Sequence, residues 1–175
     1  AIDASERIRT VVGIGRQGWS GDGGPAADAR IGTPSAICFD PRGNLYFADL
    51  TQHVIRKVDG NDTITTLAGT GSPGFSPDGT PAGEASLYRP FGVVVTNSGT
   101  LYFSDARNNR VRRIAADGRL QTIAGSDDGG DGGDGGPATH ARLNEPHGLC
   151  LYDDNILLIS DHFNNRIRAV KLDVR

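Results

Sequence analysis

The sequence predicts an all-β fold made of repeated four-stranded antiparallel blades, and three observations carry that expectation. First, landmark residues recur every 56 positions: Gly13, Gly69 and Gly125; Asp22, Asp78 and Asp134; Pro25, Pro81 and Pro137; Pro34, Pro90 and Pro146; Asp49, Asp105 and Asp161. No insertion breaks the phase, so the 175 residues form one array of three units with no room for a second domain. Second, each unit holds four short runs rich in β-branched, Leu and aromatic residues, separated by turn residues. Third, helical periodicity never extends beyond a few residues. Four short strands bounded by turn residues are the pattern of an antiparallel blade, three blades to this chain.

The middle unit shows the elements in order. Residues 91–96 follow Pro90 as a Val-rich inner strand, and Asn97, Ser98 and Gly99 make a turn. Residues 100–105 alternate as a second strand. The polar stretch 106–109 turns the chain, with Asn109 suited to a left-handed backbone. Residues 110–115 form a third strand, Asp117 and Gly118 turn again, and residues 120–124 form the outer strand. Residues 26–31, 82–87 and 138–143 each follow a proline and suit one short helical turn. The repeats run over approximately 8–63, 64–119 and 120–175 within a single domain 1–175. Residues 8–12 match the outer strands 64–68 and 120–124, so the chain delivers an outer strand before its first inner one.

These units resemble bacterial NHL repeats. The resemblance rests on Gly-Asp-Gly-Gly-Pro-Ala at 21–26, Ala29-Arg30-Ile31, Pro34, Gly-Asn-Leu-Tyr-Phe-Ala-Asp at 43–49 and Val-Ile-Arg-Lys-Val at 54–58, and it covers nearly all of 8–172. It implies a β-propeller, usually six-bladed in that family. Three blades fall short of the roughly four to eight that close a ring. Either these repeats are half of a longer six-repeat chain, or two copies close the ring as a homodimer. The homodimer is the expectation, each copy pairing its Ile8, Thr10 and Val12 against Ile167 and Val170 of the other.

Composition narrows the partners. Eighteen basic residues against 21 acidic ones give a net charge of -3, which argues against nucleic acid or an anionic membrane as the main partner. No apolar run approaches the roughly 18 residues of a membrane span, and residues 1–7 do not read as a signal peptide. A soluble protein is expected; its compartment is not readable. Cys38 and Cys150 share one repeat position two blades apart, too far for a disulfide, and are expected as small buried hydrophobes.

Several motifs hint at chemistry. Residues 13–18 fit the dinucleotide pattern G-x-G-x-x-G, but Trp19 to Pro25 follow where a long helix is needed, so they are expected as an inter-blade loop. The Asp/Gly run 127–136 makes Asp131 and Asp134 candidate calcium ligands, although the hydrophobic and acidic positions of known calcium motifs are missing. Turn-pinning is the expected role of Asp22 and Asp134. His147 follows Pro146 at the start of an inner strand, where the zinc-ligating histidines of six-bladed peptidyl-hydroxyglycine lyases lie in that similar fold. The matching positions are Ser35 and Phe91, and His53, His140 and His162 fall in other repeat phases, so no ligand set is expected to form. Arg56, Arg112 and Arg168 recur opposite Asp49, Asp105 and Asp161, whose carboxylates are expected to accept from these arginines or from turn amides, a periodicity that speaks for structure, since a catalytic group is needed once.

The expected function is a non-catalytic binding or scaffold module, with no catalytic residue and no cofactor assigned. Its partners are itself and an unknown protein or extended ligand. Two alternatives stand beside it: a channel-centred metal-dependent lyase around His147, and a single-stranded RNA binder using Arg107, Arg110, Arg112 and Arg113.

Overall fold

Each 56-residue unit folds as its turn residues dictate. The computed structural model describes residues 7–173. Strands β1 (Pro34–Phe39), β2 (Leu45–Asp49), β3 (Val54–Val58) and β4 (Ile64–Ala68) form the first antiparallel sheet in that spatial order. The second contains β5 (Pro90–Val95), β6 (Leu101–Asp105), β7 (Arg110–Ile114) and β8 (Leu120–Ala124). The third holds β9 (Pro146–Tyr152), β10 (Ile156–Asp161) and β11 (Arg166–Lys171). The register repeats with the sequence: Pro34 pairs with Asp49, Pro90 with Asp105 and Pro146 with Asp161. Asn109 and Asn165 take the left-handed conformation between second and third strands, and His53 does so in the first blade. Three-residue 3₁₀ turns follow Pro25, Pro81 and Pro137. No helix among the described residues is long and apolar enough to cross a membrane.

Each blade is apolar on both faces, and the next blade covers it. Tyr46, Ala48, Ile55 and Ala68 of the first blade meet Val93, Leu101, Phe103 and Leu120 of the second. Tyr102, Val111 and Ala124 of the second meet Leu157 and Ile159 of the third. The loop after each outer strand seals the joint. Gly69 turns away from β4 at φ +99°, where an added Cβ would lie 2.3 Å from the His53 carbonyl oxygen. The chain then adds itself to the edge of the next blade: the Gly79 N–H donates to the Leu120 carbonyl, and the Leu120 N–H to the Thr80 carbonyl. Gly23, Gly24 and Ile64 form the same pair in the first unit.

The third blade has three strands of its own, as the order of strands along the chain implies, but the outer strand expected at residues 8–12 is missing. Residues 8–12 form no regular strand, and Ile8 makes only an isolated bridge. An outer strand needs the open edge of a third strand, and β3 and β7 are already paired with β4 and β8. The consequence is large: Ile64 and Leu120 are 0% and 1% exposed, whereas Ile8 at the same repeat position is 98% exposed. The outermost faces are open as well. Cys150 is exposed rather than buried as expected, because no blade among the described residues covers that face, while Cys38 at the covered position is half-buried.

Buried arginines fasten the loops. Arg56 is fully buried on β3 and reaches Asp22 at 2.6 Å; Arg112 reaches Asp78 at 3.1 Å and Arg168 reaches Asp134 at 2.6 Å. The loop aspartates also accept strand amides, from Thr66 on Asp22 and Thr122 on Asp78. The sequence pointed the arginines at Asp49, Asp105 and Asp161, which lie farther off, at 3.7 Å for Arg112–Asp105 and 3.4 Å for Arg168–Asp161. Those carboxylates mainly accept loop amides: Gly32 and Thr33 on Asp49, Tyr88 on Asp105 and Asn144 on Asp161. Burial pushes the Asp105 carboxyl up to about 6, against the pull of Asn108, the Tyr88 amide and Arg112.

Stripping the partner from a buried charge costs far more than breaking a surface pair. Asp78→Ala is expected to lower stability by about 2–4 kcal/mol. Asp117→Ala, which removes the exposed pair to Arg119, should stay within about 0.5 kcal/mol. Urea unfolding of the two variants checks the order; equal losses would contradict the role given to the loop aspartates.

Candidate functional site

The register that pairs Pro146 with Asp161 puts the residues that follow them, His147 on β9 and His162 in the turn after β10, at the same end of the third blade. Their rings stack with centroids 4.1 Å apart and planes 13° apart. On its other face His147 lies against Phe91 of the neighbouring inner strand, at 4.1 Å and 3°. Phe163 follows at 4.7 Å from His162, tilted by 58°. Four rings thus form one column across two blades. Its backing is tight: an added Cβ on Gly92 would lie 2.3 Å from the His147 carbonyl oxygen. The Ser104 hydroxyl accepts the Gly92 N–H at 2.7 Å and donates to that carbonyl at 2.8 Å.

Charge surrounds the column. Burial and the His162 imidazole hold His147 below its usual range, with Glu145 acting the other way and Arg89 adding to the depression. Glu145 is paired with Arg107 at 3.0 Å. The Arg89 N–H donates to His53 Nδ1 at 3.1 Å, and burial together with the Arg89 charge holds His53 low. Tyr88 packs edge-on against His53.

The sequence reading set His162 apart because its repeat phase differs from that of His147; the fold brings the two together. The recurring Pro/Asp pair was the signal available, since it fixes the hairpin register from which the neighbours follow. The stacked imidazoles keep their lone pairs in two near-parallel planes, so they do not converge on one point as zinc ligands must. Among the described residues, no group of three or more His, Cys, Asp or Glu is placed to hold a metal. The carboxylates of Asp131 and Asp134 face Arg166 and Arg168. In the G-x-G-x-x-G segment the Gly13 and Gly18 amides donate to the Ala26 and Ile31 carbonyls, within the inter-blade loop.

The basic run of the second blade disperses. Arg110 and Arg112 pack over Phe75, Arg113 donates to Gln121 and Arg107 holds Glu145. At the chain's two outer blades, Ile8 and Thr10 are exposed and Val12 half-buried; Ile167 on β11 is exposed and Val170 half-buried. Beside β11 lies a cavity of about 80 Å³, lined by Gly135, Ala138, Leu143, Ile159, Arg168 and Val170, at the edge where the first two blades carry their outer strands.

No family model matches the chain. It is similar to mouse Teneurin-3, 26% identical over 254 residues, covering 97% of this chain and 9% of that protein. It is 33% identical to human Teneurin-1 over 135 residues, 70% of this chain and 5% of that protein. The chain therefore spans a small part of these curated relatives. Among solved structures, a Bacteroides thetaiotaomicron protein of unknown function aligns with TM-score 0.70 at 21% identity, over 83% of this chain and 37% of that one. An auxiliary nutrient binding protein from Bacteroides ovatus aligns with TM-score 0.66 at 25% identity, over 82% and 38%. Virginiamycin B lyase from Staphylococcus aureus aligns with TM-score 0.51 at 16% identity, a likeness of fold alone. These neighbours are β-propeller proteins, and the chain shares their blade architecture.

His147→Ala is expected to leave the fold intact, at a cost of about 1 kcal/mol, because Ser35 and Phe91 serve the same repeat position. In an NMR titration His147 should lose its proton below pH 6.5 and move upward in His162→Ala, which removes both burial and a like charge. A downward move would contradict the stacked arrangement.

Proposed function

We propose that the chain is a bacterial-type NHL-repeat half-propeller, a single domain over residues 1–175 that acts as a non-catalytic binding and scaffold module. Two copies close a six-bladed ring and present it to a protein or extended ligand. One observation carries the closure: equivalent residues are buried inside the chain and bare at its two outer blades. Ile55 and Val111 are 0% exposed and Ile167 is 70% exposed; Val93 is 3% exposed and Ile37 is 66% exposed. The bare face of the third blade has the chemistry that the first and second present to their successors, and the bare face of the first matches what they receive. A second copy fits both, with residues 8–12 of each chain as the outer strand beside β11 of the other. The two joints are identical under a two-fold axis. Burying each of Ile8, Ile37 and Ile167 contributes roughly 1.5–3 kcal/mol per joint.

The binding role draws support from the similarity to teneurins and to an auxiliary nutrient binding propeller. The lyase and RNA alternatives have less behind them. The paired imidazoles stack instead of converging, and the arginines of the second blade are spent on Phe75, Gln121 and Glu145.

Cys150 reports on the joint. Cys38 at the same repeat position packs into the joint between blades one and two, where burial and the Asp40 charge push its thiol up to about 11. In the closed ring Cys150 takes the equivalent place against the partner, so both thiols are expected to react slowly with a disulfide reagent at pH 8. Ile8→Asp should open the joint and speed Cys150 alone. If Cys150 in the unaltered chain reacts like a free exposed thiol, the second copy does not cover this face.

A further inference from the structure

Structural groups in this chain occur three times, and the ring column does not. Where the third blade has His147 and His162, the first has Ser35 and Leu50. Where the second and third have Arg107 and Phe163, the first has Thr51; where the second has Arg89, the first has Thr33. The blades pack without these groups, as the first blade demonstrates, so packing does not require them. Their divergence is concentrated at one end of the inner strands of blades two and three. We infer that this column is a binding site for a small carboxylate carrying a flat ring.

The geometry supplies both parts of that ligand. His147 is clamped between Phe91 and His162 at 4.1 Å on each side, which fixes its plane and leaves its edge for hydrogen bonding. His162 and Phe163 are exposed, so the column ends in open aromatic surface on which another ring can stack. Arg89 supplies the cation: it stands two residues before Phe91, at the end of the inner strand that carries the column, its backbone N–H is held by His53, its side chain is exposed, and among the described residues it forms no ion pair. A guanidinium beside stacked rings recognises a carboxylate attached to a flat body, through a charge-assisted hydrogen bond and a ring contact together. Glu145 is the acidic group facing His147, and Arg107 holds its charge. The site's cationic balance therefore comes from Arg89.

The inference rests on the reading of the chain as a non-catalytic binding propeller, but the site lies within one chain and does not need the ring. A monomer that binds would retain the site and lose the ring; a dimer that does not bind would do the reverse. The chain has four histidines, His53, His140, His147 and His162, so their imidazole NMR signals give a direct readout. Benzoate, benzyl alcohol and inorganic phosphate are titrated separately at neutral pH. Benzoate is expected to shift His147 and His162 saturably while His140 stays still, with benzyl alcohol and phosphate much weaker. Arg89→Gln should weaken benzoate about ten-fold, and Arg89→Lys less. Three results would overturn the site: no selective shift with benzoate, benzyl alcohol or phosphate binding as well as benzoate, or a folded Arg89→Gln variant with unchanged affinity.

Discussion

A propeller blade is a sheet with two apolar faces, and it cannot stand alone in water. Every other feature of this chain serves that constraint. Two of the joints it requires lie inside the chain, where Ile55, Phe103, Val111 and Ile159 are buried between successive sheets. The glycine-rich loops exist because the chain must cross from the outer edge of one blade to the inner strand of the next. They pair their backbone with the new outer strand on the way, as Gly79 and Thr80 do with Leu120, which satisfies peptide groups on both sides. The same constraint makes the bare faces of the first and third blades the most consequential surfaces of the molecule.

The loops hold their course through charge. Arg56, Arg112 and Arg168 leave the third strand of each blade and end on Asp22, Asp78 and Asp134 in the loop passing outside. A buried guanidinium is expensive to desolvate, so the pair contributes specificity more than stability, and it ties the loop to one position on the blade edge. Asp49, Asp105 and Asp161 do the complementary work at the inner end. Each accepts the amides that arrive just before the inner strand. Two aspartates per blade therefore fix where the connecting loop runs and where it ends.

The repeated part of this architecture was legible in the sequence because each structural group had to appear three times at one spacing. The strands from Pro34 onward, the turns and the short 3₁₀ segments after proline followed from that. Hairpin adjacency pointed to Asp105 and Asp161, which do pair with Arg112 and Arg168, but it missed the nearer loop partners, such as Asp78, 34 residues upstream of Arg112. The ring column was harder still. Phe91 and His147 share one repeat phase, but His162 and Phe163 fall in others, and only the pairing of Pro146 with Asp161 and the close approach at Gly92 bring the four together. Residues 8–12 matched outer strands in sequence, yet a strand forms only where an edge receives it.

The closure of two chains into one ring stands or falls on mass in solution. Light scattering over a dilution series of the 175-residue chain should give twice 18.4 kDa, falling only at low concentration. A stable 18.4 kDa species at micromolar concentration, with Ile8 and Ile167 left in water, would contradict it.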